Sequence, residues 1–123
     1  IAFSPLAQGF LSNKYLNGLP KGTRASENSS FSKKLITKKN TKIINDLNKL
    51  AKKRGQNLSQ MALAWVLNNK AITSALIGAR TVTQLRDCLA SLDNLKFGKE
   101  EIKKINLKAK DGDINIWAPS SSY

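Results

Sequence analysis

The clearest periodic pattern in the sequence begins at Thr41 and is typical of an amphipathic helix. Its apolar positions recur at the spacing of one helix face, and they are Ile43, Ile44, Leu47, Leu50 and Ala51. Lysines occupy the opposite, solvated face. Gly55 follows the last apolar position, where glycine commonly closes a helix. The pattern therefore predicts a helix that ends at Gly55 and buries one face.

A second helical pattern follows Ser59 and is apolar almost all round. Ser59 has the side chain of a helix N-cap, and Leu58 and Leu63 have the spacing of a hydrophobic staple across it. The helix predicted for residues 60–67 has apolar residues on nearly every side. Such a helix is buried over most of its surface, so we expect it to belong to a larger body.

Two short apolar runs predict buried strands. Residues 1–3 end at Ser4-Pro5, and residues 71–77, which are β-branched and apolar, end at Gly78. A buried strand at the first residue predicts that the chain begins inside a fold, as a fragment or a processed piece would.

Helices are also predicted after the second strand. Thr81 and Gln84 have the spacing of a capping box, and a helix through Asp93 would bury Val82, Leu85, Leu89 and Leu92. A last helix opens at Gly98 with two acidic residues in its first turn, which the helix dipole favours, and it carries Ile102, Ile105 and Ala109.

Two segments have no clear periodicity. Residues 18–40 are rich in Gly, Pro, Ser, Lys and Asn, and a connection of this length is usually either functional or disordered. Both interpretations stay open at this point. Residues 111–123 form a polar tail around a lone apolar cluster of Ile114, Ile116 and Trp117.

Strands followed closely by helices predict parallel βα architecture, in which ligands bind where the strands end. Those ends are Ser4-Pro5-Leu6 and Gly78-Ala79-Arg80. Gly78 allows close approach of a ligand to the backbone, N–H groups at the helix start are free, and Arg80 can pair with an anion. The spacing fits both a phosphate site and a tight turn with a surface arginine.

Composition limits the classes of function. The 123 residues, 41% hydrophobic and 24% charged, are typical of one globular domain. The net charge of +13 raises the question of nucleic acid. However, the lysines are spread along the chain, and no aromatic residues alternate with them in the densest patch, which is Lys33, Lys34, Lys38 and Lys39. We expect no nucleic-acid partner; a small basic helix-turn-helix binder, formed by residues 59–67 and 81–92, is the alternative.

Missing residue types exclude further chemistry. The chain has no histidine and a single cysteine, Cys88, so it holds neither a Ser-His-Asp triad nor an internal disulfide, and it lacks the commonest zinc ligand. It has no apolar run of membrane-spanning length and no signal-peptide pattern at its start. We expect a cytoplasmic protein without a membrane partner.

Several motifs occur in an order that is itself informative. They are FSPLAQGFL at 3–11, followed by Lys14-Tyr15, Gly18-Leu19-Pro20 and Arg24; RGQ at 54–56 with LSQMALAWVL at 58–67; LIGAR at 76–80 with Gln84-Leu85 and Asp87; and INIW at 114–117. Over essentially the whole chain they resemble the aldo-keto reductases, in the branch of the potassium-channel beta subunits and glyceraldehyde 3-phosphate reductases. The matched regions are the seventh strand and its loop, the seventh helix, and the eighth strand with its cofactor helix.

The resemblance implies a (β/α)8 TIM barrel that uses NADPH to reduce aldehydes and ketones. Residues 1–123 would be the C-terminal third of that single domain: the last two βα units, the C-terminal helix and the tail, with 18–40 as a loop over the cofactor. In the family a Tyr, helped by Lys, Asp and His from earlier strands, protonates the substrate oxygen. None of the four can be assigned here, Tyr15 is not a substitute, and the isolated piece is expected to be inactive.

The resemblance also implies a partial NADP site. Four residues would line the nicotinamide and diphosphate, namely Ser4, Pro5, Leu6 and Gln8. Lys14 and Arg24 would close over the phosphates. The adenosine end and its 2′-phosphate would be held by Gly78, Arg80, Gln84 and Asp87.

Three positions depart from the family pattern. Arg80 stands where the branch often has Ser, which is expected to strengthen binding of the 2′-phosphate. Asp87 replaces a usual Glu and Cys88 a usual Asn, so a contact to adenine is expected to be weakened or lost. Cys88 also fits as a simple small buried residue on its helix.

Expected partners follow from the resemblance and from the open strand edges. The resemblance implies a small carbonyl substrate, and it also allows a barrel piece used only for subunit contact. Two strands leave unpaired edges and uncovered helices, so we expect self-association or a homo-oligomer through these barrel edges.

Overall fold

The computed structural model describes residues 1–17 and 36–110. Four α-helices lie within this part of the chain: α1, Lys38–Lys53; α2, Leu58–Leu67; α3, Val82–Leu89; and α4, Lys99–Lys108. Short 3-10 turns occur at Ala7–Gly9, Asn13–Tyr15 and Ala90–Asn94. Helix α2 is central, because it packs against α1, α3 and the Ala90–Asn94 turn, while α4 packs against α1.

Helix α1 confirms the predicted apolar face and its glycine stop. Ile44, Leu47 and Ala51 are buried, and Gly55 adopts a left-handed φ of 70°. The Gly55 N–H donates to the Lys52 carbonyl and the next N–H donates to the Ala51 carbonyl, so the last turn is closed as a Schellman motif. The helix begins at Lys38, after the Thr37 cap, so the loop predicted for 18–40 ends earlier than expected; its residues 18–35 lie outside the described part.

The predicted start of α2 at Ser59 is wrong by two residues. Asn57 is the N-cap: its Oδ1 accepts from the Gln60 N–H at 2.8 Å, and the Asn57 N–H donates to Gln60 Oε1 at 3.0 Å. This capping box satisfies two groups at once and prevails over the single bond that a serine cap would give. Leu58 is therefore inside the helix and buried, and the Ser59 hydroxyl donates to the Leu11 carbonyl at 3.2 Å.

The core lies where α1, α2 and α4 meet, as the apolar composition of α2 predicted. Its buried side chains are Tyr15, Ile44, Leu47, Ala51, Leu58, Met61 and Ile105. Trp65 extends this cluster by packing edge-on against Phe97, with ring centroids 5.2 Å apart. Burial of these side chains supplies the main favourable term for folding.

The two predicted strands pair in parallel, as expected, but only over one bridge. The Ala2 N–H donates to the Ser74 carbonyl and the Leu76 N–H donates to the Ala2 carbonyl, each at 2.8 Å. No longer strand forms among residues 1–17 and 36–110, and Ile1, Phe3 and Leu76 are exposed. The expectation of buried strands is therefore wrong for this chain, because a pair of strands with no neighbours has nothing to cover its faces.

The side of helix α3 that is buried differs from the side that the sequence predicted. Val82, Leu85, Leu89 and Leu92 were expected to be buried, but 42–66% of each is exposed. We call these four residues the α3 apolar face. Cys88 is buried instead, which confirms its interpretation as a small buried residue on this helix. The α-helix ends at Leu89 and continues as the Ala90–Asn94 turn, so the predicted helix through Asp93 tightens in its last part.

Arg54 joins the C-terminal end of α1 to the start of α4. Only 3% of its side chain is exposed. The guanidinium donates to Gln56 Oε1, to the Asn94 and Lys96 carbonyls and to both oxygens of Glu101, at 2.9–3.0 Å. It also lies 3.7 Å from the centroid of the Phe97 ring. Every polar side of the guanidinium is thus engaged, and its flat face packs on an aromatic ring.

The acid stability of the fold is expected to depend on Glu101. The Gly98 N–H donates to its Oε2 at 2.7 Å and Arg54 adds further bonds, so the pKa of Glu101 lies below its usual range although burial acts in the opposite direction. A lowered folded-state pKa stabilises the fold fully above the unfolded value of about 4.3. This contribution is lost as the pH falls through the folded-state pKa.

Lowering the pH from neutral to about 3 decreases the free energy of unfolding of the wild-type chain. We therefore predict a smaller decrease for Glu101→Gln. Urea unfolding at a series of pH values measures it. Some pH dependence persists in the variant, because the Lys108 ammonium lowers the pKa of Asp46 through a hydrogen bond of 2.9 Å. Identical pH profiles for the two proteins would contradict the assignment to Glu101.

None of the helices in the described part of the chain is long and apolar enough to cross a membrane.

The connection between α2 and α3 runs over residues 68–81 and contains the parallel bridge. This is much longer than the turn of a helix-turn-helix motif, which counts against the nucleic-acid alternative.

Candidate functional site

The segment after the first bridge residue has an unusual backbone. Ser4, Ala7 and Gln8 have φ values of 51°, 47° and 58°, and Gly9 has a φ of 92°. Left-handed conformations at non-glycine residues each cost on the order of 1–3 kcal/mol and cluster at functional sites. A local network holds them in place, with N–H groups of Ala7 and Gly9 donating to the Ser4 and Leu6 carbonyls at 2.9 Å. Residues 4–9 therefore form a loop with a defined, partly left-handed backbone, which we call the shaped loop.

The first group of predicted site residues lies on and after this loop. Ser4, Pro5 and Leu6 are half-buried and Gln8 is exposed. Lys14 is exposed in the Asn13–Tyr15 turn, whose cap is the Ser12 hydroxyl. Tyr15 is 5% exposed in the hydrophobic core, which keeps its phenol away from solvent. Arg24 lies outside the described residues.

The second group lies at the turn between the second bridge residue and α3. Gly78, Arg80 and Gln84 are exposed, and a Cβ added at Gly78 would meet nothing within 4 Å. The Arg80 N–H donates to Gln84 Oε1 at 2.8 Å, and the Gln84 N–H donates to the Thr81 hydroxyl at 3.1 Å. The predicted capping box is present in shifted form, since the Gln84 side chain binds the residue before Thr81. Of the N–H groups expected to be free at the helix start, that of Gln84 is thus already bonded, as is the Arg80 N–H just before the helix.

The Asp87 carboxylate makes contacts that the sequence did not reveal. Asn57 Nδ2 donates to both of its oxygens at 2.9 Å, and Gln60 Nε2 donates to Oδ1 at 2.9 Å and to the Asp87 carbonyl at 3.2 Å. The sequence pattern did not connect Asn57 and Gln60 with Asp87. The N-x-x-Q spacing of a capping box just before α2 was the available signal, but it gives no indication of a partner on α3.

The parallel bridge brings the starts of the two loops to one edge. Ala2 and Ala75 pair directly, Ser4 follows Ala2 by two residues, and Gly78 follows Ala75 by three. Because the carboxyl ends of parallel strands lie at the same edge, both loops leave the pair on the same side. A shaped backbone loop and an exposed turn that carries the Arg80 guanidinium therefore begin at one edge of the bridge.

Two of the predicted site residues are exposed cations of the kind that binds phosphate. Arg80 and Lys14 are exposed cations, and the described ion pairs involve neither of them. Guanidinium groups bind phosphate bidentately, and the open space at Gly78 admits a ligand against the backbone. Over 1–17 and 36–110, no group of three or more His, Cys, Asp or Glu residues could hold a metal ion. The charge of Arg80 and Lys14 fits the phosphate groups of a dinucleotide.

Comparison with known proteins identifies relatives. A family model described as the aldo/keto reductase family matches residues 1–110. L-glyceraldehyde 3-phosphate reductase of Escherichia coli strain K12 is 41% identical over 98% of this chain and 36% of its own length. A Schizosaccharomyces pombe protein, provisionally described as a voltage-gated potassium channel subunit beta, is 32% identical over 85% of this chain and 32% of its own length.

The relatives include both proteins of the branch named from the motifs, so that resemblance is confirmed. The chain spans about a third of the length of these curated relatives, 36% and 32%. The family implies a barrel, and the parallel bridge followed by helices is compatible with a part of one. The chain belongs to the aldo/keto reductase family, which is a family of oxidoreductases.

Proposed function

We propose that this chain is the C-terminal third of a cytoplasmic (β/α)8 barrel that reduces small aldehydes or ketones to alcohols with NADPH. The chain would supply part of the NADP site and none of the catalytic tetrad. The parallel Ala2–Ala75 bridge carries the proposal, because it places the shaped loop 4–9 and the Gly78–Arg80 turn at one edge.

The exposed surfaces support a partial barrel. The α3 apolar face and the side chains of Ile1 and Leu76 are exposed, and all of them lie on or beside the bridge and the helix that follows it. Apolar surface of this kind is normally buried against another layer. The remaining strands and helices of a barrel would provide that layer.

The cofactor residues have distinct proposed roles. NADPH, when bound, supplies the hydride. Ser4, Pro5, Leu6 and Gln8 would line its nicotinamide and diphosphate, with Lys14 and Arg24 over the phosphates. The adenosine end would lie against Gly78, Arg80, Gln84 and Asp87. Because the Arg80 guanidinium is exposed and unpaired by the described carboxylates, it can bind the 2′-phosphate that distinguishes NADP from NAD.

Proton transfer would come from elsewhere in the barrel. The chain has no histidine, and Tyr15 is packed in the core against Phe10, with ring centroids 6.3 Å apart. A buried phenol in this position cannot reach a substrate oxygen. The 123-residue chain by itself is therefore proposed to be inactive.

The test is a titration of NADPH and NADH into the 123-residue chain and into a form extended upstream through the preceding reading frame. We expect the extended form to bind NADPH and to reduce a small aldehyde. Arg80→Met should weaken NADPH binding about 10-fold and leave NADH binding unchanged, since one charge-assisted phosphate contact is lost. Arg86→Met is the matched control, because Arg86 is an exposed arginine on α3, the helix that follows Arg80. An extended form that neither binds NADPH nor reduces a carbonyl would refute the proposal.

A further inference from the structure

The Ser59 hydroxyl joins helix α2 to the segment that follows the shaped loop. It donates to the Leu11 carbonyl at 3.2 Å, across 48 positions of the sequence. The hydroxyl is available for this bond because Asn57, rather than Ser59, caps α2 and accepts the Gln60 N–H. Ser59 is half-buried, which limits competition from water for the Leu11 carbonyl. A serine with no capping role thus connects two distant parts of the chain.

Other contacts hold the same end of the shaped loop. Phe10 and Leu11 pack against the hydrophobic core, where the Phe10 ring lies 6.3 Å from that of Tyr15, centroid to centroid. The Ser12 hydroxyl donates to the Gly9 carbonyl. The end of the loop is therefore attached to the core by its side chains, and Ser59 adds a bond from α2 to its backbone.

The Leu11 backbone also belongs to the hydrogen-bond network of the shaped loop. Its N–H donates to the Leu6 carbonyl at 3.2 Å, and the same carbonyl accepts from the Gly9 N–H at 2.9 Å. Between these residues lie Ala7 and Gln8, two of the non-glycine residues with a left-handed φ. Such a backbone persists only where its surroundings fix it. A bond that holds Leu11 in place therefore also helps to hold the shaped loop.

We propose that Ser59 is a positioning residue for the cofactor, because its hydroxyl holds Leu11 and thereby keeps the shaped loop in the conformation that binds the nicotinamide and diphosphate. This inference rests on the proposed function, which assigns the shaped loop to that part of NADPH. The nicotinamide and the diphosphate are common to NADPH and NADH, so a change in the loop acts on both. Arg80, assigned to the 2′-phosphate, acts on NADPH alone, and the two roles are distinguishable.

The first measurement is the affinity of the upstream-extended form for NADPH and for NADH. Ser59→Ala is expected to weaken both about 5-fold, which corresponds to about 1 kcal/mol, the typical net contribution of one hydrogen bond. Ser59→Thr keeps the hydroxyl and should bind both cofactors as the wild type does. Thr37→Ala is the matched control, because it also removes a hydroxyl with one hydrogen bond, accepted from the Asn40 N–H at 3.1 Å, but at the start of α1. It should change neither affinity.

The second measurement is amide hydrogen exchange in the same four proteins without cofactor. The N–H groups of Gly9 and Leu11 should exchange about 5-fold faster in Ser59→Ala and at wild-type rates in Ser59→Thr. Thr37→Ala lowers the overall stability by the loss of a helix cap but leaves local opening of the loop unchanged, so these two N–H groups should keep their wild-type rates. This measurement reports on the loop directly and needs no ligand.

The outcomes separate the inference from the proposed function. If the two N–H groups exchange at wild-type rates in Ser59→Ala, or equally fast in Ser59→Ala and Thr37→Ala, Ser59 does not hold the loop and the inference is overturned. If exchange is faster but the affinities are unchanged, or only that for NADPH falls, the positioning role is overturned while the proposed function stands. If wild-type protein binds neither cofactor, the proposed function fails and the positioning role fails with it.

Discussion

Replacing Arg54 by methionine is expected to lower the free energy of unfolding of the chain by about 3 kcal/mol, the low end of the cost of breaking a buried ion pair. Methionine preserves much of the apolar volume but none of the donors. The substitution would leave Glu101 without its cation and the Lys96 carbonyl without its side-chain donor, whereas the Asn94 carbonyl would keep Gln56 Nε2 as a donor at 3.1 Å. Glu101 is 39% exposed, so water can solvate part of the abandoned charge, which keeps the expected loss near the lower limit.

The loss can be measured by urea unfolding followed through tryptophan fluorescence, to which Trp65 contributes from its position on the same Phe97 ring as Arg54. Lys49→Met is the matched control: the Lys49 side chain is 75% exposed and its Nζ lies 3.6 Å from Asp46 Oδ1, so removal is expected to cost less than about 1 kcal/mol. Arg54→Lys should fall between the two, because it keeps the charge but loses the planar fork. A loss for Arg54→Met no greater than that of Lys49→Met would refute the assigned role.

The Arg54 network also shows a limit of sequence patterns. Its partners lie up to 47 residues away along the chain, and no periodicity links Arg54 to Glu101. What the pattern did predict was local: the buried face of α1, the stop at Gly55 and the acidic start of α4. These features depend on contacts within a few turns, whereas the guanidinium site depends on how α1 and α4 pack.

In the candidate site, too, the local features were predicted and the contacts between helices were not. The turn at Gly78 and the shaped loop after Ala2 were predicted from strand ends, and the parallel bridge supports that geometry. The start of α2 was misplaced because Ser59 and Asn57 are both good caps, and only the reciprocal bond from Gln60 decides between them. The partners of Asp87 belong to another helix, so they could not be found from α3 alone.

For the α3 apolar face, the helix side was predicted correctly but its burial was not. Periodicity correctly identified Val82, Leu85, Leu89 and Leu92 as one apolar side of a helix, but periodicity says nothing about where the covering element is encoded. In this chain the side is exposed. The proposed C-terminal third of a barrel accounts for this, because the layer that covers the helix would be outside the 123 residues.

Replacing Leu85 and Leu89 together by glutamine is accordingly expected to have opposite effects in two contexts. In the 123-residue chain, wild-type protein should self-associate through the α3 apolar face, and the double variant should shift toward monomer. Sedimentation velocity measures this directly. The net charge of +13 opposes association, and added salt screens it, so association of the wild-type chain should increase with ionic strength. A monodisperse wild-type monomer that unfolds cooperatively would contradict the expectation.

In the upstream-extended form, the same double substitution should lower the free energy of unfolding by about 4 kcal/mol or more, because two leucines that have become buried would be replaced by polar amides. Leu107→Gln is the control in both contexts: Leu107 is 60% exposed on α4, away from the α3 apolar face, and its replacement should change neither association nor stability appreciably. A surface used only between copies of the chain would give dissociation in both contexts with no loss of stability. If the α3 apolar face is covered within one folded barrel, the double substitution should reduce self-association of the 123-residue chain and lower the free energy of unfolding of the upstream-extended form.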